Sequence, residues 1–108
     1  MLWSEVAAVH RSVTGIGTTD GVPTSILCNP AKSGQFPDIV GETRITYYVN
    51  GPSKTMFADK LIAAIGTGRP MRVFEKVGMN NWRDLGDWTP TDMRVEQRGY
   101  TAIGFSRC

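Results

Sequence analysis

One histidine and two cysteines are all the nitrogen and sulfur ligands of the common metal-site type in these 108 residues. They form no Cys-x-x-Cys or His-x-x-x-His pair, so a structural metal is not expected, and no cofactor is implied. Cys28 lies in an apolar run and Cys108 is the last residue; a single terminal bridge is a poor basis for an oxidised scaffold, and both are read as reduced thiols. No stretch approaches the roughly 20 apolar residues of a membrane span. The start, Met1-Leu2-Trp3-Ser4-Glu5, has neither the basic flank nor the long apolar run of a secretory signal. These absences predict an intracellular protein, cytoplasmic or nuclear, with no membrane partner. Internal repeats, low-complexity tracts and interdomain linkers are also missing.

What is present fits one domain over residues 1–108. With 41% hydrophobic residues the chain can build one core, and it is too short for two ordinary ones. Its net charge of +2 is unevenly spread. Residues 41–83 hold seven basic side chains (Arg44, Lys54, Lys60, Arg69, Arg72, Lys76 and Arg83) against three acidic ones. Cationic contacts to phosphate supply most nonspecific affinity for nucleic acid, so Arg44, Lys54, Lys60, Arg69 and Arg72 are candidate phosphate ligands. On charge alone, a solvated face explains the same residues slightly better.

Periodicity supplies the elements. Leu2, Trp3, Val6, Val9 and Val13 recur every three or four residues and predict a helix with Ser4 as N-cap. Residues 14–23 read as a loop, and Thr24-Ser25-Ile26-Leu27-Cys28 as a short buried strand. Residues 29–41, broken by Pro30, Gly34, Pro37 and Gly41, form the longest irregular stretch, and long loops in compact domains are more often functional than accidental. Residues 43–49 form the clearest strand, with Ile45 and Tyr47 on one face and Arg44, Thr46 and Tyr48 on the other. Phe57, Leu61, Ile62 and Ile65 mark a second helix over residues 55–65, stopped by Gly66 and Gly68. Two hairpins follow, residues 71–76 with 82–88 and residues 93–97 with 100–105. The predicted fold is α+β: a small antiparallel β-barrel of five to seven strands with two packed helices.

Few residues suggest chemistry. His10 has no serine, cysteine or acid nearby in sequence, and it reads as a cation at a helix C-terminus rather than a base. Gly15-Ile16-Gly17 precedes no helix and lacks the lysine of a P-loop. Trp3, Trp82 and Trp88 read as core. The pairing of Asp38 with the adjacent Tyr47 and Tyr48 is more informative. A polar loop runs into a strand whose two aromatics point oppositely, so one can be core while the other meets a ligand. A carboxylate accepts hydrogen bonds from a base edge and aromatic rings stack on bases, with Phe36 as a second wall. Turn formation by Asp38 and sheet packing by the rings account for the same residues.

The order of these pieces resembles the SET- and RING-associated (SRA or YDG) domain, a family of modified-cytosine readers among the PUA-like barrels. The resemblance rests on His10 followed by Gly15-Ile16, on Ser25-Ile26-Leu27, and on Asp38, Gly41 and Ile45-Thr46-Tyr47. It continues through Asn50-Gly51, the helix ending near Ala64, and Gly68-Arg69-Pro70-Met71-Arg72-Val73-Phe74. Leu85-Gly86-Asp87-Trp88 and Gly104-Phe105-Ser106-Arg107 complete it over nearly the whole chain. It implies a PUA-like barrel and a non-catalytic module that binds a modified base, modified cytosine favoured, by flipping it from DNA. The roles carried over place stacking on Tyr47, base-edge hydrogen bonding on Asp38 and a second wall on Phe36, with Tyr48 beside them. The partner implied is nucleic acid, DNA favoured over RNA, together with a nuclease module of a restriction or modification system, or a homodimer. The chain departs from the family in Ser33-Gly34-Gln35-Phe36-Pro37-Asp38, which carries one carboxylate and a displaced aromatic, and in Tyr48-Val49, where Thr-Gly is usual. Two other readings fit the sequence. One is an ASCH-like small enzyme acting on RNA or modified nucleosides, with Asp38, Lys60 or His10 in acid–base roles; the other is a protein-interaction barrel.

Overall fold

The computed structural model describes residues 1–31 and 36–108. Its elements are α1 (Trp3–His10), β1 (Ile16–Thr19), β2 (Val22–Cys28), β3 (Ile39–Val40), β4 (Arg44–Asn50), α2 (Ala58–Ala63), β5 (Met71–Gly78), β6 (Asn81–Val95), a 3-10 turn (Gln97–Gly99) and β7 (Tyr100–Arg107). The seven strands form one sheet in the order β1-β2-β5-β6-β7-β4-β3.

The sheet corrects the expected antiparallel barrel in two ways. β2 and β5 run parallel, because the chain between them passes through β3, β4 and α2 before returning to the same direction. The hydrogen-bonded ladder also ends at β1 and β3 instead of closing. The sheet nevertheless curls strongly. β2 and β4 stand four strand spacings apart in its order, or about 19 Å if flat, yet the Asp38 carboxylate bridges Asn29, just past β2, to Tyr48 in β4. Side chains thus hold together what the backbone ladder leaves open.

α2 packs inside the curl. Ala58, Leu61 and Ala64 join Ile26, Ile45, Val49, Val73, Trp88, Ile103 and Phe105 in the main core. Alternation along β4 puts Ile45, Tyr47 and Val49 inward and leaves Thr46 and Tyr48 outward. α1 covers part of the other face, where Val6, His10 and Phe74 are buried outside that cluster. Phe74 and Val73 are therefore both fully buried although they point oppositely.

Other sequence boundaries shift for local reasons. Helix α1 starts at Trp3, with the Leu2 N–H donating to Glu5 Oε1 at 2.8 Å, so the first turn is satisfied without Ser4 as the cap. Helix α2 is shorter than predicted, because Phe57 adopts a left-handed conformation (φ 67°) immediately before it. Residues 14–23, read as a loop, contain β1 and a tight hairpin. Asp20 and Gly21, at φ 53° and 77°, form its turn, the Asp-Gly pair that such hairpins favour. The two predicted hairpins are present, but their inner strands are one continuous β6.

Candidate nucleic-acid interface

Asp38 is the best-fixed of the candidate site residues. It is 3% exposed. Its Oδ2 accepts from the Asn29 N–H at 2.9 Å and its Oδ1 from the Tyr48 N–H at 3.0 Å. β3 pairs with β4 only at Ile39 and Val40, so the carboxylate takes the place in the ladder that the next backbone carbonyl would have filled. A carboxylate held by two backbone donors has a set orientation.

Tyr47 lies on the same interior side. Its ring meets Phe105 edge-on, with centroids 6.5 Å apart. A Cβ built at Gly15 would stand 2.5 Å from its hydroxyl, so only glycine leaves room for it there. Burial pushes the Tyr47 phenol well above its ordinary range, and the charge of Asp38 and then Cys28 adds to the shift. The structure therefore brings Asp38, Tyr47 and Cys28 together at one end of the curl.

Phe36 and Tyr48 lie elsewhere. Tyr48 faces outward, and the Phe36 ring rests on it with centroids 5.2 Å apart and on Tyr100 at 4.9 Å. Rings in direct contact leave no room for a base between them in this conformation. The four predicted residues thus divide into an interior pair, Asp38 and Tyr47, and an outer aromatic cluster that also includes Tyr100. Sequence reasoning missed Tyr100; its cross-strand register with Asn50 at the end of β4 emerges only from the hairpin pairing. Ser33, Gly34 and Gln35 of the loop motif lie outside the described residues.

The basic segment is less free than its composition suggests. Arg44 bonds Asp92 through both carboxylate oxygens, at 2.7 and 2.8 Å. Arg72 grips Asp84 and lies over the Phe74 ring, which holds the Asp84 carboxyl below its usual range. Lys54 pairs with Asp59 at 3.1 Å and Arg83 with Glu75 at 3.7 Å. Among the described residues, Lys60 and Arg69 have no ion pair. They share a groove of about 300 Å³ with Gly21, Pro23 and Thr67.

His10 corrects its sequence reading. It is 1% exposed rather than a surface helix cation. Its Nε2 lies 2.6 Å from the Thr14 carbonyl and so carries the proton, leaving Nδ1 to accept from the Ser25 hydroxyl at 2.6 Å. Desolvation lowers its pKa, and the ring is neutral. Gly17 seals this cluster, since a Cβ there would fall 2.7 Å from the His10 carbonyl oxygen and 2.6 Å from Ser25 Oγ. The His10–Ser25 pair resembles a catalytic dyad in geometry but lies where the end of α1 meets β2, with both residues almost fully buried.

No protein-family model and no curated protein matches the chain. Solved structures do. The SUVH5 SRA domain in complex with fully methylated CG DNA superposes with a TM-score of 0.72 at 20% identity, over 100% of this chain and 84% of that one. KRYPTONITE in complex with mCHG DNA and SAH gives 0.67 at 13% identity, over 97% of this chain and 30% of that one. Arabidopsis thaliana SUVH6 in complex with SAM gives 0.65 at 17% identity, over 96% and 23%. The chain has an SRA-like fold.

Proposed function

We propose that this chain is a non-catalytic module that binds DNA and recognises a modified base, modified cytosine favoured, by taking it out of the duplex. The observation that carries the reading is the SRA-like fold over the full chain, shared with domains solved on methylated DNA. The buried carboxylate at the end of the curl supports it. Asp38, oriented by the Asn29 and Tyr48 amides, serves as acceptor for an exocyclic amino group, and Tyr47 forms a wall beside it. The curled sheet then acts as the cup of a PUA-like barrel. Extruding a base costs a few kcal/mol, which stacking at roughly 1–3 kcal/mol per ring and hydrogen bonding to Asp38 offset. Phe36 and Tyr48 supply the outer aromatic surface, and a base standing between them requires their contact to open.

Phosphate contacts begin with Lys60 and Arg69, which need not break an ion pair first. Arg44, Lys54 and Arg72 join by exchanging a carboxylate for a phosphate. Such a reader works inside the cell, where its DNA is.

The test is binding of fluorescent duplexes, methylated and unmethylated, at two salt concentrations. The expected result is tighter binding to the methylated duplex, an affinity that falls as salt rises, and loss of the methyl preference in Asp38→Asn. Equal, salt-insensitive binding to every duplex would end the proposal.

A further inference from the structure

β6 outruns its neighbour. β5 pairs with it from Asn81 to Trp88, while β7 pairs with it from Trp88 to Val95. On the side β5 leaves, the Pro90 carbonyl accepts from the Gly66 N–H at 3.2 Å. Across residues 91–95, that side has no backbone hydrogen bond among the described residues. The segment Thr91-Asp92-Met93-Arg94-Val95 is thus an open edge. A bulge at Thr91 bends its start, and its blunting charges, Asp92 and Arg94, are of opposite sign; Met93 and Val95 are 42% and 74% exposed.

We propose that residues 91–95 form a self-association edge, and that two copies of this chain pair along it, antiparallel, about a two-fold axis at Met93. The charge pattern selects the occupant. An antiparallel pairing centred on Met93 sets Asp92 opposite Arg94 of the second copy and Arg94 opposite its Asp92. Opposite charges across a strand pair stabilise it, and like charges oppose it. Centring on Asp92 would oppose two carboxylates; centring on Arg94 would oppose two guanidinium groups. A slip by one residue would set charged side chains against apolar ones, because alternation puts Asp92 and Arg94 on one face and Met93 and Val95 on the other. One register therefore satisfies both faces, and it is self-complementary, as a closed two-fold dimer requires.

Each charge is already anchored within its own chain. Arg44 holds Asp92 and Glu96 holds Arg94, so pairing extends these contacts into a four-member row on each half of the interface. The Arg44–Asp92 pair lies across Gly104, whose missing side chain leaves the space it occupies. A five-residue edge buries little area, so the dimer is weak and concentration-dependent. Neither Asp38 nor Tyr47 takes part; Arg44, which holds Asp92 in this row, is the one residue shared with the phosphate contacts proposed above.

Sedimentation equilibrium over a concentration series tests it, with the mass rising from 11.9 kDa toward twice that value. Arg94→Glu and Asp92→Lys each oppose like charges across the axis and are expected to weaken self-association at least about tenfold. Their equimolar mixture is expected to recover it, because each variant presents the sign the other lacks. Circular dichroism melts establish that each variant is folded. As a second measurement, Met93→Cys in a Cys108→Ser background is expected to cross-link on mild oxidation, since directly opposed residues have Cβ atoms about 4.5–5.5 Å apart, a small strand shift from the roughly 3.5–4.5 Å of a disulfide. A mass of 11.9 kDa at every soluble concentration would overturn the proposal. So would a dimer that the single variants leave intact or that their mixture fails to restore.

Discussion

Replacing Asp38 by alanine removes the acceptor of two partly buried backbone N–H groups, those of Asn29 and Tyr48. A hydrogen bond to a charged group contributes about 1.5–3 kcal/mol, and alanine offers neither N–H a substitute. The two together amount to about 3–6 kcal/mol, a large part of the roughly 5–15 kcal/mol that keeps a domain folded. The same change unties the sheet where β2 and β4 meet. Asp38→Asn keeps one oxygen and turns an amide NH2 toward the other donor, so its loss is expected near half of that. Equilibrium urea denaturation measures both variants, and an unchanged slope with a lower midpoint identifies a true loss of stability. A loss below about 1 kcal/mol for Asp38→Ala would refute the bridging role.

Four further outcomes follow from the same geometry. The His10 pKa lies below its ordinary 6.5, so the unfolded chain takes up a proton first: stability is complete above about 6.5 and falls as pH drops toward the folded value. Urea midpoints at stepped pH should show this slope in the wild type and lose it in His10→Gln. The Tyr47 phenol, held well above its ordinary 10.0 by burial, favours the folded chain less as pH rises past 10, because the unfolded chain then gives up a proton that the folded one keeps; urea midpoints at stepped alkaline pH should fall, and less so in Tyr47→Phe. Gly17→Ala drives a Cβ into the His10 backbone and should cost about 1–3 kcal/mol or more. Gly104→Ala meets only the ends of Arg44 and Asp92 and should cost under about 1 kcal/mol, since it breaks an exposed ion pair; thermal melts separate the two. Finally, Lys60→Ala with Arg69→Ala should weaken binding to methylated and unmethylated duplexes alike and flatten its salt dependence by about two phosphate contacts. Titrations at stepped salt measure this.

The sequence by itself determined the features that depend on near neighbours. Period-two alternation placed Ile45, Tyr47 and Val49 on one face of β4, and a 3.6-residue period placed Leu61 in the face of α2 that enters the core. Turn chemistry marked the β5–β6 and β6–β7 reversals, and short motifs in order gave the SRA-like fold. The Asp20-Gly21 hairpin was equally legible; it was obscured because β1 pairs over only four residues and contains a bulge. The tertiary structure decided everything that depends on distant partners. A basic side chain has the same formal charge wherever it lies, but Arg44 is neutralised by Asp92, 48 residues away, while Lys60 has no ion pair among the described residues. His10 is neutral because desolvation by burial outweighs the hydrogen bond to the Thr14 carbonyl, which favours the proton. Asp38 and Tyr47 meet because the sheet curls, and that curl is the sum of twists, bulges and a parallel β2–β5 pairing that no local window of residues contains.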